Sequence, residues 1–263
     1  MDTPLSRWVR FILFFIAAQA FLFLYALVRP DQILELEPFT ASPLNARFIA
    51  CLYGSTGLGL FLAGIFARTF RQARGPLLGA GVATTVLFVV TLFRLPEIAK
   101  FPFNWLASYL IDSILVIIAF WRLGEWDFFR NGWSPHARIW LTNAAILCTV
   151  GLLMFVLPRQ AVAIWPWAMT EALAQLYGTF FVGLGVLSLI AAQDPEWASA
   201  RWTATMLCAL GVSVCLVSWV HLDRFRPPAA TIIWFLFFLA QAGVFGALLI
   251  LNRARVAVKE LAA

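Results

Sequence analysis

The stretch FIACLYGSTGLGLFLAGIFA, residues 48–67, runs for 20 residues without a charged side chain. A helix needs about 20 mainly apolar residues to cross the hydrocarbon core of a membrane. The stretch is continuous and lacks the two-residue alternation of a membrane β-strand, so it predicts a transmembrane helix. It also contains the tetrapeptide Leu52-Tyr53-Gly54-Ser55, which returns in a closely related form later in the chain.

The composition of the whole chain agrees with this first helix. Hydrophobic residues make up 62% of the 263 residues and charged residues only 12%, whereas a soluble domain carries about 25% charged residues. This composition excludes a soluble globular domain, a disordered chain, a disulfide scaffold and a nucleic-acid-binding protein. We therefore predict an all-α, polytopic integral membrane protein.

Eight apolar runs are long enough to cross the membrane, and we number them spans 1 to 8. They are roughly Trp8–Val28, Phe48–Ala67, Leu77–Phe93, Trp105–Trp121, Ile139–Leu157, Leu173–Ala192, Trp202–Val220 and Ala230–Leu251. The first run contains Ala18-Gln19-Ala20, which is similar to a signal-peptide cleavage site, but it is too long for a signal peptide. We therefore expect it to be an uncleaved span.

The distribution of positive charge predicts the orientation. With the N-terminus in the cytoplasm, twelve Lys and Arg residues fall on the inner side and seven on the outer side. Short cytoplasmic loops carry the excess of positive charge in membrane proteins, so we predict that both termini are cytoplasmic. Lysine occurs only at Lys100 and Lys259, and this preference for arginine favours a bacterial protein, located in the inner (plasma) membrane.

An internal repeat divides the chain into two units. The tetrapeptide at residue 52 returns as Leu176-Tyr177-Gly178-Thr179, an offset of 124 residues (52 to 176). Arg74 and Arg201 are related by an offset of 127 (74 to 201), and Trp105 and Trp234 by 129 (105 to 234). A nearly constant offset predicts two four-helix repeats, residues 1–130 and 131–263. Four is an even number, so the repeats should be parallel, around a pseudo-two-fold axis along the membrane normal.

Small residues in the repeated helix predict a helix–helix contact. Ser55 and Gly59 are four residues apart and therefore share a face, as do Thr179 and Gly183. Small side chains let two helix backbones approach closely in lipid. We expect these four residues to pack helices together; the alternative is that they line a pore or a lipid groove.

Residues that bind metals or catalyse reactions are scarce. The four cysteines lie inside spans without a C-x-x-C spacing, and His136 and His221 fall at opposite membrane boundaries. A bis-histidine haem, a His-rich zinc site and an HExxH helix are therefore excluded. We predict no cofactor, no metal and no enzymatic activity, although a pigment or quinone ligand remains compatible with the sequence.

One acidic residue lies well inside a span. Asp112 comes seven residues after Trp105, about 10 Å along the helix at 1.5 Å per residue. The repeat pairs it with Gln241, at the same offset of 129 (112 to 241). A membrane-embedded carboxylate is costly unless it is paired, hydrated or protonated. Asp112 and Gln241 are thus a candidate polar site, with structural hydrogen bonding as the alternative role.

The outer loops carry a second candidate cluster. The offset of 124 pairs Arg47 with Glu171 (47 to 171), and an ion pair between them would close the outer side of the contact between the repeats. The alternative is two solvated charges of little energetic value. Arg94, His221, Asp223 and Arg224 complete the cluster, which could bind an anion or the polar loop of a partner, or be an ordinary charged hairpin.

Two functions are compatible with these features. The first is a non-catalytic integral membrane subunit or scaffold that packs against lipids and the helices of other membrane-protein subunits. The second is a small carrier or channel with a path near Asp112 and Gln241 at the interface of the repeats; Gln19, Asn143 and Gln175 are further candidates for its lining. A carrier usually needs several polar groups near the midplane; the sequence has few, so we expect the first function.

Overall fold

The computed structural model describes residues 3–34, 42–97, 102–123, 132–226 and 228–261. In these ranges eight helices are long and apolar enough to cross a membrane, as predicted. They are span 1 (Arg7–Val28), span 2 (Pro43–Phe66), span 3 (Phe70–Phe93), span 4 (Phe103–Leu123), span 5 (Ala137–Val156), span 6 (Glu171–Ala192), span 7 (Trp197–Val220) and span 8 (Pro228–Asn252). The helix of span 8 continues to Leu261, and Pro30–Leu34 and Pro158–Ile164 form short helices.

Several spans begin earlier than hydrophobicity alone predicts. The helix of span 2 starts at Pro43, because the Ser42 side chain accepts a hydrogen bond from the Asn45 N–H and Pro43 occupies the first turn. The Thr170 side chain caps the Leu173 N–H in the same way at the start of span 6. Capped first turns tolerate polar residues, so the apolar run begins inside the helix.

Span 1 is interrupted near its outer end. Its main helix, Arg7–Leu22, is followed by a turn at Phe23 and Leu24 and by a short helix, Tyr25–Val28. The Phe23 N–H bonds to the Ala20 carbonyl oxygen and the Leu24 N–H to the Phe21 carbonyl oxygen, which closes the last turn tightly. The interruption places Phe23 beside span 2, where its ring stacks on the ring of Tyr53.

Spans 2, 3, 6 and 7 form the centre of the bundle. Span 2 packs against spans 1 and 7, and span 6 packs against spans 5 and 3, while span 4 lies on span 3 and span 8 on span 7. Burial follows this order: 78% of the apolar stretch of span 6 is buried, compared with 28% in span 8. The peripheral spans therefore present most of the surface that faces lipid.

Backbone contacts between the N-terminal segment and the connection of spans 2 and 3 mark one end of the bundle. At the end that carries residues 3–6, the Leu5 N–H bonds to the Arg68 carbonyl and the Phe70 N–H bonds to the Thr3 carbonyl. We call this end inner and the opposite end outer, following the predicted orientation. The predicted boundary between the two units, at residues 130 and 131, lies outside the described residues.

Candidate functional site

Two lateral clefts open between peripheral spans. The first, which we call the acidic cavity, has a volume of about 300 Å³ and is lined by residues of spans 1 to 4 and one residue of span 6. The second, which we call the amide cleft, lies between spans 5 and 8 and consists of two adjoining cavities of about 390 and 450 Å³. Asp112 lines the first cleft and Gln241 the second, so the structure does not bring the two candidate residues together.

Asp112 lies at the floor of the acidic cavity, near the middle of span 4. Its side chain is only 4% exposed, and its Oδ1 accepts a hydrogen bond of 2.8 Å from Gln19 Nε2 on span 1. In the part of the chain that the structure describes, no Lys, Arg or His side chain forms an ion pair with it. The carboxyl group is thus held by one neutral donor in surroundings that are otherwise mainly apolar.

Aromatic rings form much of the wall of the acidic cavity. Phe23 stacks on Tyr53 with ring centroids 4.0 Å apart, and its centroid lies 5.3 Å from that of Trp105. The Tyr53 and Tyr109 hydroxyls lie 2.9 Å apart, and Phe180 meets Tyr53 edge-on at 4.7 Å. The cavity therefore combines one carboxyl group with several ring faces.

The amide cleft contains a chain of neutral hydrogen bonds. Gln241 Nε2 donates to Asn143 Oδ1 at 3.1 Å, Asn143 Nδ2 donates to Ser188 Oγ at 2.9 Å, and Ser188 Oγ donates to the Leu184 carbonyl. Gln241 is 3% exposed, and its carbonyl oxygen Oε1 has no hydrogen-bond partner among the described residues. An acceptor is thus left over at the middle of span 8.

The amide cleft extends along most of spans 5 and 8. Ile146 and Phe237 line both of its cavities, so the two cavities are adjacent. The inner cavity reaches Arg138 and the outer cavity reaches Ile164 and Ala230. The cleft is therefore an elongated groove on the membrane-facing side of the bundle.

The outer candidate cluster separates into two groups, and the expected ion pair between Arg47 and Glu171 is replaced by other contacts. Arg47 Nη1 lies 2.6 Å from His221 Nε2, and Arg47 Nε donates to the Leu27 carbonyl. Glu171 instead pairs with Arg159 at 3.0 Å and with Arg94 at 3.9 Å. The physical reason is proximity: the short helix before span 6 supplies Glu171 with a nearer cation.

The group around His221 borders an outer cavity of about 330 Å³, which Asp223 and Arg224 also line. Arg47 can only donate, so His221 Nε2 accepts and the imidazole is neutral with its proton on Nδ1. Burial and the positive charge of Arg47 lower the pKa of His221. The charge of Asp223 offsets part of this shift, and the charge of Arg224 adds to it. Asp223 and Arg224 form an exposed pair at 3.1 Å.

The predicted packing residues lie between central helices. A Cβ atom on Gly59 of span 2 would collide with the Met206 side chain of span 7. A Cβ atom on Gly183 of span 6 would lie 3.0 Å from the Gly79 carbonyl oxygen of span 3. Two further small residues of these helices, Ser55 and Thr179, are buried and donate their hydroxyl groups to the carbonyls three residues earlier.

An ion-pair network at the inner end was not recognised in the sequence. Asp194, between spans 6 and 7, pairs with Arg71 at 2.9 Å and with Arg74 at 3.1 Å. Asp194 and Arg74 are 1% and 3% exposed, whereas Glu196, which also pairs with Arg71, is 44% exposed. The three-residue spacing of the two arginines, on one face of span 3, was the available signal.

A buried amide also joins the two predicted units near the outer end. Asn45 Oδ1 accepts hydrogen bonds from Trp167 Nε1 at 2.6 Å and from the Tyr177 hydroxyl at 2.8 Å. Its Nδ2 donates to the Ala168 carbonyl at 3.2 Å. This side chain was not predicted as a site residue, because its partners lie more than 120 positions away in the sequence.

Within the described ranges, no three His, Cys, Asp or Glu side chains are grouped as metal ligands would be. All four cysteines are free thiols. Comparisons of the chain with protein-family models, with curated proteins and with solved structures gave no match. The two clefts are therefore interpreted from their own chemistry.

Proposed function

We propose that the chain is a non-catalytic integral membrane subunit that binds a transmembrane helix of another protein in the amide cleft. The observation that carries the proposal is the Gln241 carbonyl oxygen, which is buried near the middle of span 8 without a hydrogen-bond partner in the described chain. An unpaired buried acceptor is costly in a medium without water. Because Gln241 lines the cleft, a rotation of its side chain would let a partner that offers a donor at this depth remove that cost.

The chemistry and shape of the groove favour a helix over a lipid chain as the occupant. Acyl chains contain no hydrogen-bond donor, whereas a helix with a Ser, Thr, Asn or Gln side chain at mid-membrane depth has one, and such bonds join helices in lipid. The groove also runs along two neighbouring spans from Arg138 to Ala230, a shape suited to a third helix lying beside them.

We also propose that the bundle arose from two parallel four-helix repeats. The pairing of spans 1 and 2 corresponds to that of spans 5 and 6, and the contact between spans 2 and 7 corresponds to that between spans 6 and 3. Gly59 meets Met206 where Gly183 meets Gly79, and the offset of 127 that relates Arg74 to Arg201 also relates Gly79 to Met206 (79 to 206). Equivalent positions in equivalent contacts support a pseudo-two-fold arrangement.

For its location we propose a bacterial inner membrane with both termini in the cytoplasm. The support is the excess of Lys and Arg on the inner side together with the arginine-rich composition.

The alternative function, a carrier, would need one path that reaches both Asp112 and Gln241. The two residues line separate cavities, and this arrangement favours the subunit over the carrier.

Site-specific photo-crosslinking in cell membranes tests the proposed docking. A photoreactive amino acid at Val244, which lines the amide cleft and is 41% exposed, should form one dominant protein adduct. Mass spectrometry should place that adduct in a transmembrane segment with a polar donor. The same amino acid at Ile117 of span 4, which is 55% exposed, is the matched control and should give mainly lipid adducts.

A second variant links the adduct to the observation that motivated the proposal. Replacement of Gln241 by leucine removes the acceptor and should lower the yield of the Val244 adduct several-fold while the chain remains folded. If Val244 and Ile117 both give only lipid adducts, the cleft is an ordinary lipid-facing surface and the proposed function is wrong.

A further inference from the structure

The acidic cavity contains a carboxyl group, Asp112, that no cation in the described part of the chain pairs with. Asp112 is 4% exposed and receives one hydrogen bond, from Gln19, which is neutral. A carboxylate inside a membrane is stabilised by a paired positive charge. The described residues that line the cavity include no Lys, Arg or His, so a cation that pairs with the ionised carboxylate has to come from outside the lining.

The walls of the cavity have the chemistry that binds organic cations. The faces of Trp, Tyr and Phe rings attract ammonium groups through their negative quadrupole. Trp105, Tyr53, Tyr109 and Phe180 line the same cavity as Asp112, together with Phe23. A carboxyl group and several aromatic rings in one cavity offer an organic cation both charge neutralisation and cation–π contacts.

The size of the cavity limits the ligand to a small molecule. Its volume of about 300 Å³ lies at the lower end of the range for small-molecule sites and is too small for a phospholipid. The lining is mainly apolar apart from Asp112, Gln19, Asn104 and a few hydroxyl groups. Leu22, which is 72% exposed, and Asn104 lie at the rim towards the outer end, where a ligand could enter.

We propose that the acidic cavity binds a lipophilic organic cation, with its ammonium group at Asp112 and its apolar body among the aromatic side chains. The ligand supplies the positive charge that the cavity lacks, and its apolar part replaces lipid at the rim. Gln19 donates to Oδ1 alone, which leaves Oδ2 of Asp112 as the acceptor for the ammonium group. This site is separate from the amide cleft and does not depend on the function proposed for it.

Two probes of equal length separate charge recognition from simple partitioning. Phenylbutylamine is cationic at neutral pH, and phenylbutanol has the same apolar body with a neutral end group. The full chain in nanodiscs of uncharged lipid is titrated with each probe by calorimetry, with empty nanodiscs subtracted. The amine should bind at least ten-fold more tightly than the alcohol. Equal affinities would overturn the proposal, and this comparison needs only the unmodified chain.

Three variants locate the charge. Asp112→Asn keeps an acceptor for Gln19 but removes the charge, so it should weaken amine binding at least ten-fold and leave alcohol binding unchanged. Asp112→Glu keeps the charge and should bind the amine within about three-fold of the original chain. Asp223→Asn, an identical substitution at an outer side chain that is 69% exposed, is the control and should have no effect. Full amine affinity in Asp112→Asn would contradict the proposal.

Discussion

The acidic cavity and the amide cleft are built alike but differ in charge. Each lies beside a side-chain pair that joins two peripheral spans: Gln19 with Asp112 in the first, and Asn143 with Gln241 in the second. In the acidic cavity the acceptor of the pair is the carboxyl group of Asp112. In the amide cleft the unused atom is a neutral carbonyl oxygen.

This difference shows how one frame can offer two kinds of binding. A carboxylate selects for positive charge, whereas a free amide oxygen selects for a hydrogen-bond donor. Function in a fold of this kind resides in the few polar groups that the helices carry rather than in the helices themselves. The comparison predicts that changes to the shared frame affect both clefts, while changes to one polar pair affect only one.

The largest effect is expected from Asp194→Ala, which acts on the shared frame. The substitution leaves Arg74, which is 3% exposed, without the carboxylate that it contacts in the structure. Breaking a buried ion pair by removal of one partner costs about 3 kcal/mol. Because span 3 lines the acidic cavity and the Asp194 loop leads into span 7, which supports span 8, hydrogen exchange should rise around both clefts. Thermal unfolding in detergent and exchange mass spectrometry measure the two effects.

The matched control is Glu196→Ala, which removes the exposed member of the same network. Glu196 is 44% exposed, and exposed ion pairs contribute less than about 1 kcal/mol. A double variant with leucine at both Arg74 and Asp194 should recover much of the lost stability, since apolar pairs can replace buried ion pairs. Increased exchange at one cleft alone would disprove the idea of a single shared frame.

A smaller and selective effect is expected when each polar pair loses its amide donor. Gln19→Leu removes the hydrogen bond to the buried Asp112 carboxyl group and should cost about 2 kcal/mol. Gln241→Leu removes a neutral bond to Asn143, and such bonds between membrane helices average about 0.6 kcal/mol. Reversible unfolding in mixed micelles measures both free energies.

A third variant ties the larger cost to the charge. In an Asp112→Asn background, Gln19→Leu should cost no more than Gln241→Leu does, because both cavities then contain a neutral pair. A cost that stays near 2 kcal/mol in that background would show that packing, and not charge, distinguishes the two clefts.

The number of the spans could be predicted from the sequence, because the thickness of the bilayer sets a minimum length for an apolar helix. The starts of the helices were less accurate. Span 2 begins five residues before the predicted Phe48, at Pro43. The cap at Ser42 stabilises a polar first turn, and the hydrophobicity of a sequence does not indicate such caps.

The polar sites were predicted only in part. Asp112 was recognised because a charge inside an apolar run is conspicuous, but its pairing with Gln19 depends on which spans are neighbours. Asp194 was overlooked because it lies in a loop, where an acidic residue is ordinary; its burial arises from two arginines of span 3. Long-range packing decides both outcomes, and a single sequence contains little information about it.

The smallest effect is expected at His221, which lies on neither cleft. Its neutral imidazole accepts a hydrogen bond from Arg47 in the folded chain, and burial with nearby positive charge lowers its pKa. The unfolded chain binds the proton more readily, so stability is complete above the ordinary histidine pKa of about 6.5 and declines as the pH falls below it. Arg47, Asp223 and Arg224 are the charged groups that act on the ring.

Thermal unfolding at about pH 7.5 and about pH 5.5, on either side of that pKa, measures the effect. The unmodified chain should melt at a slightly lower temperature at the acidic pH. His221→Gln keeps an acceptor for Arg47 without a titrating group, so most of the difference between the two conditions should disappear. The glutamine variant should leave both clefts unchanged, since His221 lines only the outer cavity. If His221→Gln shows the same difference in melting temperature between the two pH values, another group titrates. The two clefts should then be compared at neutral pH only.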